Sequence, residues 1–341
     1  MAVYSLPVID IGAYLSSDSS SEQRQTVACA VDKACSQYGT FYLVNHEVPQ
    51  ELCDKIRTLG RSFFQLSMEE KHKHKVGSLA RGYWSSSGVL QTDKVQIETL
   101  SFHPPVNCYH NGLLPDADPA SPSARLPTVP DALGEQDSWP SKEFRALTKE
   151  YTDHILQLNE RVFDSIADSL GLADVSRNQL QKAVAHIGFN GYNALTQAEI
   201  EQGGINLAAH ADAGCLTFLN QDSDSVSLQI QDCGGKWHDV PPIPGAFVVN
   251  VGTAFNRLTA GRYIDVQHRV VHCSEKPRIS VATFIAPPFD APLDPLPELA
   301  AVGEDSTKHT LALYGDIHLE QERAYINSKA MVLSDPATSH V

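Results

Sequence analysis

From about residue 184 the apolar residues stop recurring at helical intervals and gather into short runs. AVAHIGF, CLTFLN, VSLQIQ, AFVVNV, DVQHRVVH and ISVATFIA follow one another, parted by Gly, Pro, Asn and Asp. Each run has strand length, and helices need about ten residues or more. Six such runs in about a hundred residues predict a many-stranded β core, a barrel or a sandwich.

The residues before it read differently. LPVIDI (6–11) and the β-branched, aromatic TFYLVNH (40–46) predict strands. Between them, Ser20 and Gln23 have capping-box spacing, Val27, Val31 and Ala34 follow helical intervals, and Gly39 ends the segment. After Pro49, Leu52, Ile56, Leu59 and Phe63 predict a helix with one buried face. A long helix is expected from Ser141 to about Leu170 along Phe144, Leu147, Tyr151, Ile155, Leu158, Val162, Ile166 and Leu170. Residues 104–140 hold seven prolines between Pro104 and Pro130 and predict a surface loop, either a lid or an inert insertion. A last helix is expected over about 308–330. The class is α+β. Residues 1–140 form an N-terminal region on the substrate side, and 141–341 hold the central helix, the β core and the last helix, as one globular unit of 341 residues.

A net charge of −15 argues against nucleic acid or an anionic membrane as partner, since both need a basic face. Seven cysteines, an odd number with no CxxC, suit free thiols in a reducing compartment rather than a disulfide framework or zinc ribbon. The N-terminus lacks a basic stretch before its apolar run, and no apolar run nears the roughly 18 residues of a span. A cytoplasmic protein is expected.

Polar residues stand out against the β pattern. In HADAG (210–214), His210 and Asp212 share a face if the segment is extended, so the two could grip one metal ion. A polar turn that happens to hold a His is the plainer reading of the pair alone. A third ligand would come from His238, which follows Trp237 after a Gly-Gly turn and suits a surface hairpin, or from His268 or His272. Those two share a strand face, and spacing does not choose between them. Arg278 and Ser280 also share a face, opposite Ile279, Val281, Thr283 and Ile285. They suit a carboxylate clamp, or else an Arg paired with a structural acid.

The whole order resembles the Fe(II)- and 2-oxoglutarate-dependent dioxygenases, in their isopenicillin N synthase-like branch. HxD at 210–212, a His at 268 and RxS at 278–280 follow that family's pattern. LPVIDI, YGTFYLVNHEVP (38–49), FFQLSMEEKHK (63–73), WP (139–140), GFNGYN (188–193) and GRYIDVQHRVV (261–271) resemble further family stretches, and the last selects His268 over His272. Glu47 replaces a usual Gly, Gly188 and Asn193 replace the Arg and Pro of "R.N.YP", Thr253 stands for the Asp of "NVGD", and Asp265 stands near a usual Lys-Ser.

The resemblance implies a double-stranded β-helix, a cupin-like jelly-roll, flanked by N-terminal and central helices. It implies Fe(II) on His210, Asp212 and His268. It implies 2-oxoglutarate with its distal carboxylate on Arg278 and Ser280, supported by Tyr192 and Asn190, and O2 as the other co-substrate. A small-molecule metabolite, of the secondary kind, would be hydroxylated, desaturated or cyclised at a C–H bond, with release of succinate and CO2. Arg81, Tyr83, Trp84, Phe102, His103 and Phe284 are candidate substrate residues, with core packing as the alternative for each aromatic. Arg81 or Lys94 would suit a carboxylated substrate. The expected protein is a monomer. Two other readings remain: an oxidase or cyclase of the isopenicillin N synthase type that uses no 2-oxoglutarate, and a non-catalytic barrel that binds a ligand.

Overall fold

The computed structural model describes residues 5–76, 81–85, 97–103, 138–300, 313–318 and 320. Among these residues, thirteen strands form two sheets. The larger runs in the order β1 (Val8–Asp10), β2 (Thr40–Val44), β11 (Phe247–Val251), β8 (Leu216–Gln221), β13 (Arg278–Ala286), β6 (Val184–Tyr192), β5 (Ile97–Phe102), β4 (Arg81–Ser85) and β3 (Lys75–Val76). The smaller runs β10 (Trp237–Asp239), β9 (Leu228–Gln231), β12 (His268–His272) and β7 (Ile205–His210). Apart from the parallel β1–β2 pair, the pairings are antiparallel. The N-terminal strands are hydrogen-bonded into the same sheet as the C-terminal ones, β2 to β11 and β5 to β6.

The sheets face one another. Leu219 and Ala282 of the larger sheet share one apolar cluster with Leu228 and Ile230 of the smaller. Ile97 and Tyr192 share another with Val270 and Leu207. Strand alternation does the rest. On β13, Val281 and Ile285 turn outward into the main core with the helices, while Ala282 and Phe284 turn inward. This is the jelly-roll expected from the sequence.

Helices cover the outer face of the larger sheet. They are α1 (Gly12–Leu15), α2 (Ser21–Gln37), α3 (Gln50–Phe64), α4 (Met68–His72), α5 (Lys142–Leu170) and α6 (Asp174–Leu180), with short α7 (Gln197–Glu201) and α8 (Thr253–Leu258) among the strands. The α2 capping box forms as its sequence requires, Ser20 and Gln23 each bonding the other's backbone N–H. On α3, Ile56 and Phe63 are buried at helical spacing, and on α5 so are Phe144, Tyr151, Ile155 and Val162. Each such side chain contributes about 1.5–3 kcal/mol by leaving water. Leu147 and Leu170, expected on the same stripe, are only partly buried. Ser141 caps α5, and Gly171 ends it at φ 64°.

Of the loop expected at 104–140, residues 104–137 lie outside the described residues, as does Lys94. Of the helix expected over 308–330, a helical turn at 314–318 is described.

Candidate metal centre and carboxylate clamp

β7 stops at His210, and Asp212 stands in the turn beyond it, so the two residues are not on one extended strand as expected. The turn still brings them together. Asp212 Oδ1 lies 3.9 Å from His210 Nε2 and 3.7 Å from His268 Nε2. One ligand atom from each of the three falls within 4.8 Å of the others, and among the described residues no other group of His, Cys, Asp and Glu does this. His268 and His210 are direct cross-strand partners on β12 and β7, which brings their rings to 4.2 Å.

A register shift makes that pairing possible. His268 pairs with His210 but Val270 with Leu207, so β7 carries one extra residue there. Leu207 and His210 are three apart and would face opposite ways on a regular strand. With the bulge, Leu207 packs toward the Val270 cluster and His210 still meets His268.

The turn after His210 is pinned from outside. Thr253 N donates to Asp212 O at 2.8 Å, and Ala254 N bonds Ala213 O and Gly214 O. A Cβ on Gly252 would lie 2.3 Å from Gly214 O and 2.7 Å from Asp212 O, so only glycine lets the two backbones lie this close. Thr253 Oγ1 donates to Asp265 Oδ2 at 3.2 Å. Two of the departures from the family pattern, Thr253 and Asp265, are thus in contact with each other.

The donor set fits a divalent iron. His210 Nδ1 lies 2.8 Å from Ala208 O, and His268 Nδ1 lies 3.3 Å from Val266 O. A carbonyl only accepts, so each Nδ1 carries its proton and each Nε2 turns a lone pair to the cluster. Burial holds His268 below the usual imidazole range, against the pull of the Asp212 carboxylate. It is thus neutral, as a ligand must be. Thr217 Oγ1 donates to Asp212 Oδ2 at 2.6 Å, leaving Oδ1 to face the imidazoles. Two imidazoles and one carboxylate leave open positions on an octahedral ion, an arrangement that suits non-haem Fe(II).

At the far end of the barrel stands Arg278, 2% exposed. Its Nη2 donates to Gln221 Oε1 at 2.9 Å and its Nη1 to Ser280 Oγ at 3.3 Å. Its Nε–H has no partner, and among the described residues no carboxylate pairs with it. This removes the structural-acid alternative for those residues. Tyr192 lies cross-strand from Arg278, with the guanidinium 5.0 Å from its ring centre, and Asn190 lies opposite Ser280. His272, the rival third ligand, belongs here instead. It is fully buried, with Nδ1 3.1 Å from Ser227 Oγ and Nε2 3.0 Å from Lys276 O, and its ring 5.9 Å from that of Tyr192. His238 sits in the β9–β10 hairpin, 2.6 Å from Asp232.

The substrate-residue expectations divide. Phe284 and His103 stand beside His186, on the inner face. Tyr83 and Phe102 do not. They are 2% and 3% exposed within the main core, Tyr83 bonding Glu98 and Phe102 stacking at 3.8 Å on Trp139. Register is the reason: Tyr83 pairs with Leu100, so both face the helices, whereas Trp84 pairs with Thr99 on the other side. Arg81 pairs with Val76 at the start of β4, and its side chain lies outside the described residues. Three residues escaped the sequence reading: Thr217, Gln221 and His186. The last had a usable signal, since it shares alternation with Gly188, Asn190 and Tyr192 on β6.

Residues 6–124 match the model of the non-haem dioxygenase in morphine synthesis N-terminal family, and residues 190–287 that of the 2OG-Fe(II) oxygenase superfamily. Homoarginine-6-hydroxylase 2-ODD-C23 of Glycine max is 28% identical over 334 residues, 92% of this chain and 94% of that protein. Homoarginine-6-hydroxylase 2-ODD-C23.1 of Arabidopsis thaliana is 31% identical over 307 residues, 86% and 87% of the two chains. The crystal structure of the dioxygenase for auxin oxidation in rice superposes with a TM-score of 0.70 at 25% identity, covering 94% of this chain and 96% of that one. The superposition speaks for the fold, and the curated relatives speak for the family. The chain belongs to the 2OG-Fe(II) oxygenase superfamily and is an Fe(II)- and 2-oxoglutarate-dependent dioxygenase.

Proposed function

We propose that His210 Nε2, Asp212 Oδ1 and His268 Nε2 hold the Fe(II), and that Arg278 and Ser280 receive the distal carboxylate of 2-oxoglutarate. Arg278 carries this reading. A buried guanidinium without a counter-ion is costly, and an anion arriving with the co-substrate offsets that cost. Its orphan Nε–H supports a bidentate grip, and Gln221 and Tyr192 hold the plane that makes the grip directional. Thr217 at the triad and Gln221 at the clamp are four residues apart on β8, roughly 13 Å at about 3.3 Å per residue. An extended five-carbon dicarboxylate held at both ends suits a span of that order.

When bound, iron with 2-oxoglutarate and O2 supplies an oxidative decarboxylation, to succinate and CO2, that drives oxidation of a substrate C–H bond. The chain's own task is placement. The two Nδ1–H bonds fix the imidazole tautomers, Thr217 fixes the carboxylate, and apolar side chains shared between the two sheets hold the strands that carry them. The substrate is a small metabolite, and hydroxylation is the outcome that the names of the two curated relatives favour. The described cysteines are all free, which supports a reducing, cytoplasmic setting. Among the described residues, the large exposed apolar side chains are Val8, Leu66, Val175 and Val226, far apart in sequence, which supports a monomer.

The test is succinate formation by Fe(II)-loaded protein in air with 2-oxoglutarate. The expected result is succinate and O2 consumption in equal amounts, lost on chelation and reduced more than about a thousandfold in Asp212→Ala. Undiminished succinate in that variant would refute the ligand assignment. Oxygen consumption that ignores 2-oxoglutarate would favour the oxidase reading.

A further inference from the structure

The clamp residues share a common back. Arg278 and Ser280 flank Ile279 on β13, and Asn190 and Tyr192 flank Gly191 on β6. Ile279 and Gly191 are direct cross-strand partners. Alternation turns the four flanking side chains into the barrel, so Ile279 and Gly191 face the helices. One stripe of α3 rests there: Arg57, Gly60, Arg61 and Phe64, at i, i+3, i+4 and i+7. A Cβ on Gly60 would lie 2.8 Å from Ile279 Cδ1, and one on Gly191 would lie 2.6 Å from Phe64 Cδ2, so helix and sheet are in close contact behind the clamp.

The two arginines of the stripe meet Asp222, which follows the end of β8 and is 7% exposed. Arg61 Nη2 lies 2.9 Å from both carboxylate oxygens, and Arg57 Nε lies 3.6 Å from Oδ1. Asp222 in turn grips Ile279 at both backbone groups. Its N–H donates to Ile279 O at 3.1 Å, and its Oδ2 accepts from Ile279 N at 2.8 Å. In a continued antiparallel ladder the second bond would go to the Asp222 carbonyl. The carboxylate takes that place, so β8 ends here while the start of β13, with Arg278, stays held. The residue before Asp222 is Gln221, which bonds Arg278 Nη2 from the inner face.

We infer that Asp222, with Arg61 and Arg57 behind it, is a positioning residue for co-substrate binding, holding β13 at the depth from which Arg278 meets the distal carboxylate of 2-oxoglutarate. This rests on the co-substrate assignment above. Ile279 lies between Arg278 and Ser280, so a shift there moves both together. A misplacement of about 1 Å can cost up to about a hundredfold where charged groups must meet in a set geometry. The metal ligands come from β7, the turn after it and β12, and among the described residues Asp222 is hydrogen-bonded to none of these. The metal-chelating end of the co-substrate should therefore not feel its loss.

The test is calorimetric binding of 2-oxoglutarate and of 2-oxobutanoate, which lacks the distal carboxylate, to the Fe(II)-loaded protein without oxygen. Wild type and Arg278→Met are titrated first. If wild type does not prefer 2-oxoglutarate, or Arg278→Met keeps the preference, the co-substrate assignment fails and this inference falls with it. Asp222→Asn keeps an oxygen for Ile279 N–H and loses the ion pairs. It should weaken 2-oxoglutarate about tenfold, and 2-oxobutanoate and Fe(II) by less than about twofold. Arg61→Met, at a partly exposed position, should weaken 2-oxoglutarate about threefold with the same selectivity, and it decides alone where Asp222→Asn does not fold. A merely structural loss would lower all three affinities together. With the Arg278 result in place, equal loss for the two acids, or the wild-type preference kept in these variants, overturns the positioning inference alone.

Discussion

The metal end and the clamp end of this site are built on opposite principles. At the metal end, each side chain has one hydrogen bond that aims it before iron arrives, the two imidazoles to backbone carbonyls and the carboxylate from Thr217. His210 is even 40% exposed. At the clamp end a cation is sealed from water with one N–H unpaired and, among the described residues, no carboxylate paired with it. The first end is an aligned set of ligands that costs the ligand-free fold little. The second stores an unfavourable burial that only an anion relieves. Affinity for the co-substrate and stability of the empty protein should therefore trade against each other at Arg278, and not at the triad.

Replacing Arg278 with Met is the largest test of that contrast. The variant should lose 2-oxoglutarate binding by more than a hundredfold, yet gain about 1 kcal/mol or more in stability without ligand. Thermal unfolding with and without 2-oxoglutarate checks both: wild type rises with ligand, and the variant starts higher and does not move. A variant less stable than wild type when empty would erase the contrast. At the metal end, Thr217→Val removes the bond that aims Asp212. Iron affinity should fall about ten- to a hundredfold, read by competition with a chelator, while 2-oxoglutarate binding to the iron-saturated protein changes little. The smallest effect belongs to neither end. Glu47 is exposed and sits at φ 57°, where the family has glycine. Glu47→Gly should add about 0.5–1 kcal/mol in denaturant unfolding with both affinities unchanged. A shift in either affinity would show that this turn reaches the site.

The two ends also differ in how far the sequence shows them. The ligand order of His210, Asp212 and His268, and the shared face of Arg278 and Ser280, follow from motif and alternation, and the structure brings each set together. What alternation cannot supply is register between strands far apart in the chain. His268 meets His210 because β12 pairs with β7 in a register that sets His272 opposite Ile205, with a bulge in β7 that no local residue announces. Gln221 joins Arg278 from a strand 57 residues away. The same gap misplaced Tyr83 and Phe102. Their motif lies near the site, but pairing of β4 with β5 and of β5 with β6 turns them to the helical face. His186 had the right alternation, yet its meaning depends on Phe284 across the ladder and His103 beyond it.

The claim that Arg278 exists to meet the distal carboxylate can be measured directly. Binding of 2-oxoglutarate is compared with binding of 2-oxobutanoate, which keeps the metal-chelating end and lacks that carboxylate, to the Fe(II)-loaded wild type and Arg278→Met proteins without oxygen. Wild type should prefer 2-oxoglutarate by about a hundredfold or more, and Arg278→Met should bind the two within about threefold of each other. A variant that keeps the wild-type preference would place the distal carboxylate somewhere other than Arg278.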